Sequence, residues 1–355
     1  MKKTLCIVMV ISMMLALMVG CSSTPTTQTA APATESNQAP AATATQGTIK
    51  IGAAMVDLTN PFYVNMMTAG DDAAKDFGAE VIWKSSEGTL DKEISLVENF
   101  IEQKVDCILI DPIDAEGIKP VIIKAGEAGI PVITMGNFVD TEYNTSTLYN
   151  DYNDTFIIGN IVAKQCGEEG KVALIFGNSG NFCSDERQRG FEDAIKQYPK
   201  MTLIKQPSNW DAAEGMKVAA DMIAANPDLK AIHSVTDGVT FGVQQAIKQA
   251  GKEDSIFLTS YDGEKEASEK IKSGEIALTL LTGSKRVGYW NVKMGTMLAK
   301  GENVAKKEYL SSHFVMTNEL KEKLIGWGVA KDVSIVDPDT GYKLFDDYRA
   351  DLGPK

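Results

Sequence analysis

The feature that most constrains the fold is a regular alternation of two hydrophobic patterns, which begins at Ile49. Short, continuously apolar runs are typical of strands buried on both faces, and stretches with helical period lie between most of them. This alternation predicts parallel sheets covered by helices on both faces, which is an α/β fold. The predicted strands are Ile49–Met55, Ala79–Trp83, Val105–Ile110, Pro131–Met135, Lys171–Phe176, Met201–Lys205, Lys230–Ser234, Ser255–Ser260 and Ile276–Leu281.

The alternation starts again after Asn150–Asp154, with Ile157–Cys166 and the strand that follows it. From about Gly47 the chain has roughly 310 residues, more than one hydrophobic core usually supports, so we expect two similar α/β lobes. No Gly-x-Gly-x-x-Gly follows the first strand, which disfavours a dinucleotide site. The other helical stretches are Tyr63–Phe77, Leu90–Gln103, Ala115–Ala128, Arg187–Tyr198, Ala212–Ala225, Val239–Ala250 and Lys285–Lys300.

The N-terminal residues predict export. Lysines precede an almost unbroken apolar run over Leu5–Val19, which is too short for a comfortable membrane span and fits a signal peptide. The run ends in Gly20-Cys21, which resembles the lipobox of bacterial lipoproteins. That resemblance implies cleavage of a signal peptide over 1–20 and a lipid on the Cys21 thiol. An ordinary signal peptide with an incidental cysteine is the alternative.

Residues 21–46 are dominated by Ser, Thr, Pro, Ala and Gln, with Glu35 as the only charge. Such a composition cannot bury a core, so we predict a disordered tether. A lipid followed by a flexible spacer would hold the folded part at the outer face of a cell membrane, or in the periplasm, free to turn.

The formal net charge of −13 argues against nucleic acid as a partner and against binding of anionic lipid by the protein surface. The chain has only two His and no metal-type cluster, so we predict no metal and no cofactor. Cys107 lies in an apolar run and is expected to be a core thiol. Cys166 and Cys183 could pair, although no spacing requires it. His233 lies within a predicted strand and is interpreted as a core histidine.

Polar residues mixed with aromatic ones follow successive strands. Ligands of open parallel sheets bind beyond the carboxyl ends of the strands. Each Asp, Asn or Thr taken alone is equally well explained as a helix N-cap. Together the mixture suits a polyhydroxylated ring, because carboxylates, amides and guanidinium groups bind hydroxyls and aromatic faces cover C–H groups. The segments are 57–63, 111–114, 136–138, 177–182, 236–238 and 261–263.

Several of these segments also resemble the ribose/galactose class of periplasmic binding proteins. The resemblance spans about Ile49 to Met316 and implies two Rossmann-like lobes of the type I fold, each a parallel sheet flanked by helices. A three-segment hinge would join the lobes, with a ligand in the cleft between them. The motifs are Asn60-Pro61-Phe62-Tyr63, Ile110-Asp111-Pro112, Gly129-Ile130-Pro131-Val132-Ile133-Thr134, Arg187-Gln188-Arg189-Gly190-Phe191 and Tyr261-Asp262-Gly263.

On this basis we expect a first lobe of 47–152 plus 283–309 and a second lobe of 153–282 plus 310–330. Residues 331–355 would form a C-terminal tail, in which Tyr342–Tyr348 is a candidate closing segment. Before this tail, Glu319–Ile325 has helical spacing. The expected pivots are the crossings near 152–154, 282–284 and 309–312.

The resemblance also implies ligand contacts residue by residue. In the first lobe Asn60 would bond a hydroxyl, while Phe62 and Tyr63 would stack on or wall the ring. In the second lobe Arg187 and Asp262 would supply a guanidinium and a carboxylate. Trp210 would be the aromatic residue on the opposite side of the ligand ring. Thr236 and Thr282 stand where the ribose-type proteins usually have Asn and Gln.

The largest departure from the ribose-type pattern is Gly136-Asn137, where those proteins carry Asp-Arg. Losing a carboxylate and a guanidinium makes ribose itself doubtful. Asn137 would either bond a hydroxyl or serve as a turn residue after a strand. Asp151 would either line the cleft near the hinge or cap the helix after it.

These observations predict a monomeric substrate-binding lipoprotein, not an enzyme, that captures a small sugar or polyol and delivers it to the permease of an ABC importer. One alternative is a receptor that presents a sugar or furanosyl signal to a chemoreceptor or sensor kinase. A remote alternative is a glycosidase that uses Asp237 and Asp262 as a carboxylate pair.

Overall fold

The structure is a computed structural model that describes residues 47–329 and 332–349. The predicted signal peptide, the predicted tether and Cys21 lie outside the described residues. The described residues belong to one compact unit. Within the described part of that unit, no helix is both long enough and apolar enough to span a membrane.

The described residues form strands and helices in near-regular alternation. The strands are β1 Ile49–Met55, β2 Ala79–Ser85, β3 Cys107–Ile110, β4 Val132–Met135, β5 Asn144–Leu148, β6 Glu169–Phe176, β7 Lys200–Pro207, β8 Leu229–Ser234, β9 Phe257–Thr259, β10 Leu278–Leu281, β11 Lys307–Tyr309, β12 His313–Met316 and β13 Ile335–Val336. The helices are α1 Pro61–Phe77, α2 Leu90–Gln103, α3 Lys119–Glu127, α4 Asp151–Gln165, α5 Phe182–Ile195, α6 Ala212–Ala225, α7 Asp237–Gln249, α8 Lys265–Lys272, α9 Ser284–Ala299, α10 Asn318–Trp327 and α11 Pro338–Asp346.

The strands make two sheets, one in each lobe. The first sheet has the order β11-β5-β4-β3-β1-β2 and the second has the order β13-β12-β10-β9-β8-β6-β7. All pairs are parallel except β10 with β12, which is antiparallel. The predicted fold class, two parallel-dominated sheets flanked by helices with the type I arrangement, is therefore confirmed.

Helices cover both faces of each sheet, as the continuously apolar strands require. In the first lobe α1 and α9 pack on one face, and α2 and α3 on the other. In the second lobe α4, α5 and α10 cover one face, and α6, α7, α8 and α11 cover the other. The chain passes between the sheets three times, at 149–150, 282–283 and 310–312, and these short crossings form the hinge. The first crossing lies just before the expected pivot at 152–154, because those residues are already part of α4.

Sequence reasoning missed β5, and the reason is its polarity. Its residues Asn144–Leu148 are all buried, yet its side chains bond one another and their neighbours. Ser146 Oγ lies 2.7 Å from Thr134 Oγ1, and Thr147 Oγ1 donates to Asn291 Oδ1 over 3.0 Å. Buried polar groups satisfied in this way cost little, so a strand can lack an apolar signal.

The residues after β12 complete the second lobe and also reach the first. β13 pairs with β12, and Phe345 in α11 is buried in the second-lobe core. Tyr348, three residues later, packs in the first-lobe core and donates to Asp72 Oδ2 over 2.6 Å. Arg349 Nε donates to Asp76 over 2.9 Å. The C-terminal segment therefore contacts both lobes.

The three described cysteines are free and buried, which overturns the possible pairing of Cys166 with Cys183. The Cys183 thiol instead donates to a carbonyl oxygen of the first lobe. Cys107 is a fully buried core thiol, as predicted, and burial raises its pKa to about 12. His233 is also a core residue, as predicted: it stacks on Phe191, with ring centroids 4.9 Å apart.

Candidate ligand-binding site

The residues predicted to bind a ligand follow the carboxyl ends of strands in both lobes. Parallel strands bring these ends to one edge of each sheet, where α/β proteins bind small molecules. Those of the first lobe follow β1 and β4 and are Asn60, Phe62, Tyr63 and Asn137. Those of the second lobe follow β6 to β10 in turn and are Arg187, Trp210, Thr236, Asp262 and Thr282.

Arg187 is the centre of a buried network in the second lobe. Its Nε donates to Asp151 Oδ1 over 2.7 Å, and its Nη1 donates to the Val235 carbonyl over 2.7 Å and to Asp262 Oδ1 over 3.2 Å. The guanidinium carbon lies 3.7 Å from the centre of the Tyr261 ring. Arg187 is 4% exposed, so its planar donor fork is fixed before any ligand arrives.

The guanidinium of Arg187 is paired with two carboxylates inside the protein. Burial would by itself lower the pKa of Arg187, but Asp151, Tyr261 and Asp262 raise it well above its ordinary value. Burial raises the pKa of Asp262, and Arg187 opposes that rise. The network thus combines one guanidinium with two carboxylates. It offers acceptors for hydroxyl hydrogens and would repel an anionic ligand.

Asp262 is held in an unusual backbone conformation. Its φ of +106° lies in a region that side chains other than glycine rarely adopt, which costs about 1–3 kcal/mol. Thr236 Oγ1 donates to Asp262 Oδ2 over 2.5 Å, and Thr282 Oγ1 donates to the Asp262 carbonyl over 3.5 Å. Thr236 therefore fixes the carboxylate, and Thr282 holds the backbone of the same residue. Strain maintained by such contacts is typical of functional sites.

In the first lobe, Asp111 joins two of the predicted residues. Tyr63 Oη donates to Asp111 Oδ2 over 2.8 Å, and Asn137 Nδ2 donates to Asp111 Oδ1 over 2.9 Å. Burial raises the pKa of Asp111 to about 6, although these two hydrogen bonds and the charge of Arg187 lower it. Phe62 packs edge-on against Tyr63 with ring centroids 5.5 Å apart.

The two lobes touch directly at the N-terminus of α5. Asn137 Oδ1 accepts from the Cys183 backbone N–H over 3.0 Å, and Cys183 Sγ donates to the Gly136 carbonyl over 2.8 Å. Asn181 Nδ2 donates to the Pro112 carbonyl over 3.1 Å. The polar segments after β3 and β4 therefore face the loop after β6 across the cleft, and the lobes are in contact there.

A second contact between the lobes lies near the start of α8. Asn65 Nδ2, on α1, donates to Glu264 Oε2 over 3.0 Å. Glu264 follows the strained Asp262 by two residues, and burial raises its pKa to about 7. Both contacts join residues at the carboxyl edges of the two sheets.

Asn60 and Trp210 make contacts within their own surroundings. Asn60 Oδ1 accepts from the Phe62 N–H over 2.9 Å and so caps α1. A helix N-cap is the alternative role that the sequence allowed for this residue. Trp210 has a φ of +62° and packs against Gly177, where a Cβ would approach its ring to 2.2 Å. Their ligand-binding roles stay predictions.

Sequence reasoning left two residues out of the predicted site that belong to its networks. Asp151 joins Arg187, and its Oδ1 also accepts from Tyr261 Oη over 3.0 Å. Asp111 joins Tyr63 to Asn137. Asp111 had the same sequence signal as its neighbours, since it directly follows a buried strand. Asp151 begins a helix after a crossing, so its sequence position alone did not distinguish a cap from a site residue.

Asp237, proposed as half of a glycosidase pair, accepts bonds from three protein groups. They are Ser260 Oγ, Thr279 Oγ1 at 2.9 Å and the Glu264 N–H at 2.7 Å. These bonds tie the start of α7 to the strands β9 and β10, which is a structural role. Among the described residues, no group of His, Cys, Asp and Glu is arranged to hold a metal ion.

Comparison with known proteins identifies the family. The sequence profile described as periplasmic binding protein domain matches residues 51–303. The chain is a periplasmic binding protein. It belongs to the ribose/galactose type that the sequence motifs resemble, and membership of this family implies an extracytoplasmic location.

Ribose import binding proteins are among the relatives of this periplasmic binding protein. The one from Salmonella typhimurium is 28% identical over 251 residues, covering 70% of this chain and 84% of the relative. The one from Bacillus subtilis is 27% identical over 308 residues, covering 86% and 96%. A solute-binding protein of an ABC transporter from Agrobacterium vitis, solved with bound D-fucose, is 26% identical and superposes with a TM-score of 0.71, covering 79% of this chain and 99% of the other.

Proposed function

We propose that this chain is an extracytoplasmic receptor that captures a small sugar or polyol between its lobes and delivers it to the permease of an ABC importer. The observation that carries the proposal is the buried Arg187 network, whose carboxylates and guanidinium suit hydroxyl groups. The named activities of the ribose import relatives and the D-fucose held by the Agrobacterium vitis protein support the same ligand class.

The site favours a neutral ligand over a sugar phosphate or sugar acid. Asp151 and Asp262 outnumber Arg187, and Asp111 adds a further buried carboxyl group nearby. An anion would have to be desolvated against these groups. Because Gly136-Asn137 replaces Asp-Arg of the ribose-type pattern, the preferred ligand is expected to differ from ribose.

Closure of the lobes is proposed to be the signal to the permease. A ligand bonded by both lobes binds the closed state better than the open state, and only that difference can shift the equilibrium. Micromolar affinity corresponds to about −8.2 kcal/mol, of which a few kcal/mol suffice to close a cleft. The short crossings at 149–150, 282–283 and 310–312 are the pivots in this mechanism.

Calorimetry against a panel of pentoses, hexoses and polyols tests the ligand class. For the sugar that binds, Asp262→Ala and Arg187→Ala are each expected to weaken binding by about 2–5 kcal/mol, because each strands a buried charge. Trp210→Ala is expected to weaken binding less, since it removes stacking and strands no charge. If both charge variants bind that sugar with an affinity within a few-fold of wild type, the ligand lies elsewhere.

Small-angle scattering tests the closure itself. Saturating the protein with the sugar identified above is expected to reduce its radius of gyration. Tight binding without compaction would contradict the mechanism. Transport and signalling are separated by assaying uptake in a strain that lacks this protein: unchanged uptake of a sugar that the purified protein binds would favour presentation to a chemoreceptor or sensor kinase.

The proposed anchor is a lipid on Cys21, with the protein acting as a monomer at the membrane surface. Growth with labelled palmitate is expected to label the wild-type protein. Cys21→Ser is expected to abolish the label and to release the protein from the membrane fraction. Labelling that persists in the variant would contradict the anchor without affecting the ligand proposal.

A further inference from the structure

Both ends of the Asn137 side-chain amide are bonded to protein. Its Nδ2 donates to Asp111 Oδ1 over 2.9 Å within the first lobe. Its Oδ1 accepts from the Cys183 N–H of the second lobe over 3.0 Å. Asn137 is 4% exposed, so these bonds lie out of water. In this conformation the residue bridges the lobes instead of offering its amide to a ligand.

Asp111 decides which end of the amide faces the second lobe. An ionised carboxylate can only accept hydrogen bonds, so the nitrogen of Asn137 must face it and the oxygen must face away. The other oxygen of Asp111 accepts from Tyr63 Oη over 2.8 Å, which holds the carboxylate in position. The chain Tyr63–Asp111–Asn137 therefore fixes an acceptor that points at α5.

The first turn of α5 is where such an acceptor is needed. The leading N–H groups of a helix have no partner within the helix. Asn181 Oδ1, the N-cap, accepts from the Ser184 N–H over 3.1 Å. The Cys183 N–H is left for Asn137, so contact between the lobes completes the capping of α5. The positive end of the helix dipole further favours an oxygen at this point.

We propose that Asp111 is a positioning residue for lobe closure, which aims the Asn137 amide oxygen at the first turn of α5 in the opposite lobe. The proposal deepens the proposed function, since it assumes the same opening and closing of the cleft. Asn137 then serves as a latch and not as a hydroxyl ligand. The latch favours the closed state equally for every ligand, and it sets how much of the protein is closed without one.

The Cys183 thiol provides a probe of opening in the ligand-free, full-length protein. It is buried in the contact between the lobes, whereas Cys107 is buried in the first-lobe core. Alkylation with iodoacetamide, followed by mass spectrometry of each cysteine peptide, measures opening at Cys183 and global unfolding at Cys107. Losing one net hydrogen bond between the lobes is expected to raise the Cys183 rate on the order of 2- to 10-fold.

A double-mutant cycle separates positioning from a general structural role. Asp111→Asn presents either a donor or an acceptor to Asn137, so the amide is no longer fixed. Asp111→Asn and Asn137→Ala are each expected to accelerate Cys183 alkylation, and the double variant is expected to be no faster than Asn137→Ala alone. Coupling of this kind shows that Asp111 acts through Asn137.

Asn65→Ala is the matched control, because it removes a different bond between the lobes. Its effect is expected to multiply with that of Asp111→Asn. If Asp111→Asn exposes Cys107 and so fails to fold, Tyr63→Phe tests the same chain from its other end and should also have no effect in the Asn137→Ala background. Multiplicative effects of Asp111 and Asn137, or unchanged Cys183 rates, would overturn the proposal. No sugar is used, so that outcome is independent of the calorimetric test of function.

Discussion

Replacement of Arg187 by methionine tests whether the buried network has the energetics that its geometry implies. The variant keeps much of the side-chain volume but removes the guanidinium. Asp151 and Asp262, which are 2% and 5% exposed, would then lose the cation that lies 2.7 Å and 3.2 Å from them. The perturbation therefore leaves two carboxylates in a site closed to water.

Breaking a buried ion pair by removing one partner costs about 3–5 kcal/mol, because the remaining charge is uncompensated. A loss of that size lowers Tm by roughly 5–8 °C in a folded part of about 300 residues. Arg189→Met is the matched control on the same helix. Arg189 pairs with Glu186 at the surface, with side-chain exposures of 55% and 24%, and such pairs contribute about 0–1 kcal/mol.

The pH dependence gives the second readout. Burial already raises the pKa of Asp262, and losing Arg187 raises it further. A carboxyl group whose pKa is higher in the folded state binds a proton more readily when folded, so acid stabilises the variant relative to wild type. The difference in Tm between Arg187→Met and wild type is therefore expected to shrink as the pH falls from 8 towards 5.

Differential scanning calorimetry of the wild type, Arg187→Met and Arg189→Met at several pH values measures the loss of Tm and its pH dependence. The reasoning is refuted if Arg187→Met unfolds within about 1 kcal/mol of Arg189→Met at pH 7. It is equally refuted if the destabilisation grows as the pH falls.

Two further predictions concern the second-lobe core. Burial lowers the pKa of His233 to about 3 from 6.5, so His233 itself contributes a loss of stability of about 1.4 kcal/mol per pH unit below pH 6. Thermal denaturation should therefore show that His233→Phe gains stability relative to wild type as the pH falls below 6; a difference that does not change with pH would contradict this assignment. A Cβ at Gly190 would lie 2.2 Å from the Tyr152 carbonyl, so Gly190→Ala should destabilise by about 1–3 kcal/mol in urea titrations. Gly326→Ala, where a Cβ meets nothing within 4 Å, should be neutral or slightly stabilising, and equal effects would argue against close packing of α4 and α5.

The sequence predicted the strands whose apolar side chains are continuous, because a strand buried on both faces must be apolar unless its polar groups bond one another. β5 is the exception that shows the limit of this rule. Asn144 and Ser146 are buried in it and bond each other, and buried Thr147 bonds Asn291, 144 residues away. Hydrophobic periodicity does not mark such a strand, because its buried side chains are polar.

The edge that carries the candidate site was also predictable, since the carboxyl ends of parallel strands share one edge and the polar residues follow the strands. The pairing within that edge was not. Arg187 meets Asp151 across 36 residues and Asp262 across 75, and only the packing within the second lobe selects these carboxylates over others nearby. The role of Asn137 depends in the same way on α5 of the opposite lobe.

The C-terminal segment has a consequence for how the two lobes unfold. Phe345 and Tyr348 are three residues apart, yet each is buried in the core of a different lobe. Unfolding of either lobe would expose the aromatic side chain buried in that lobe. It would also loosen the short segment that places the other aromatic side chain in the other core. Two bodies linked only by flexible crossings can melt in separate transitions, whereas bodies that share a buried segment tend to melt as one cooperative unit. We therefore expect the folded part of this protein to unfold in a single transition, although its architecture has two lobes.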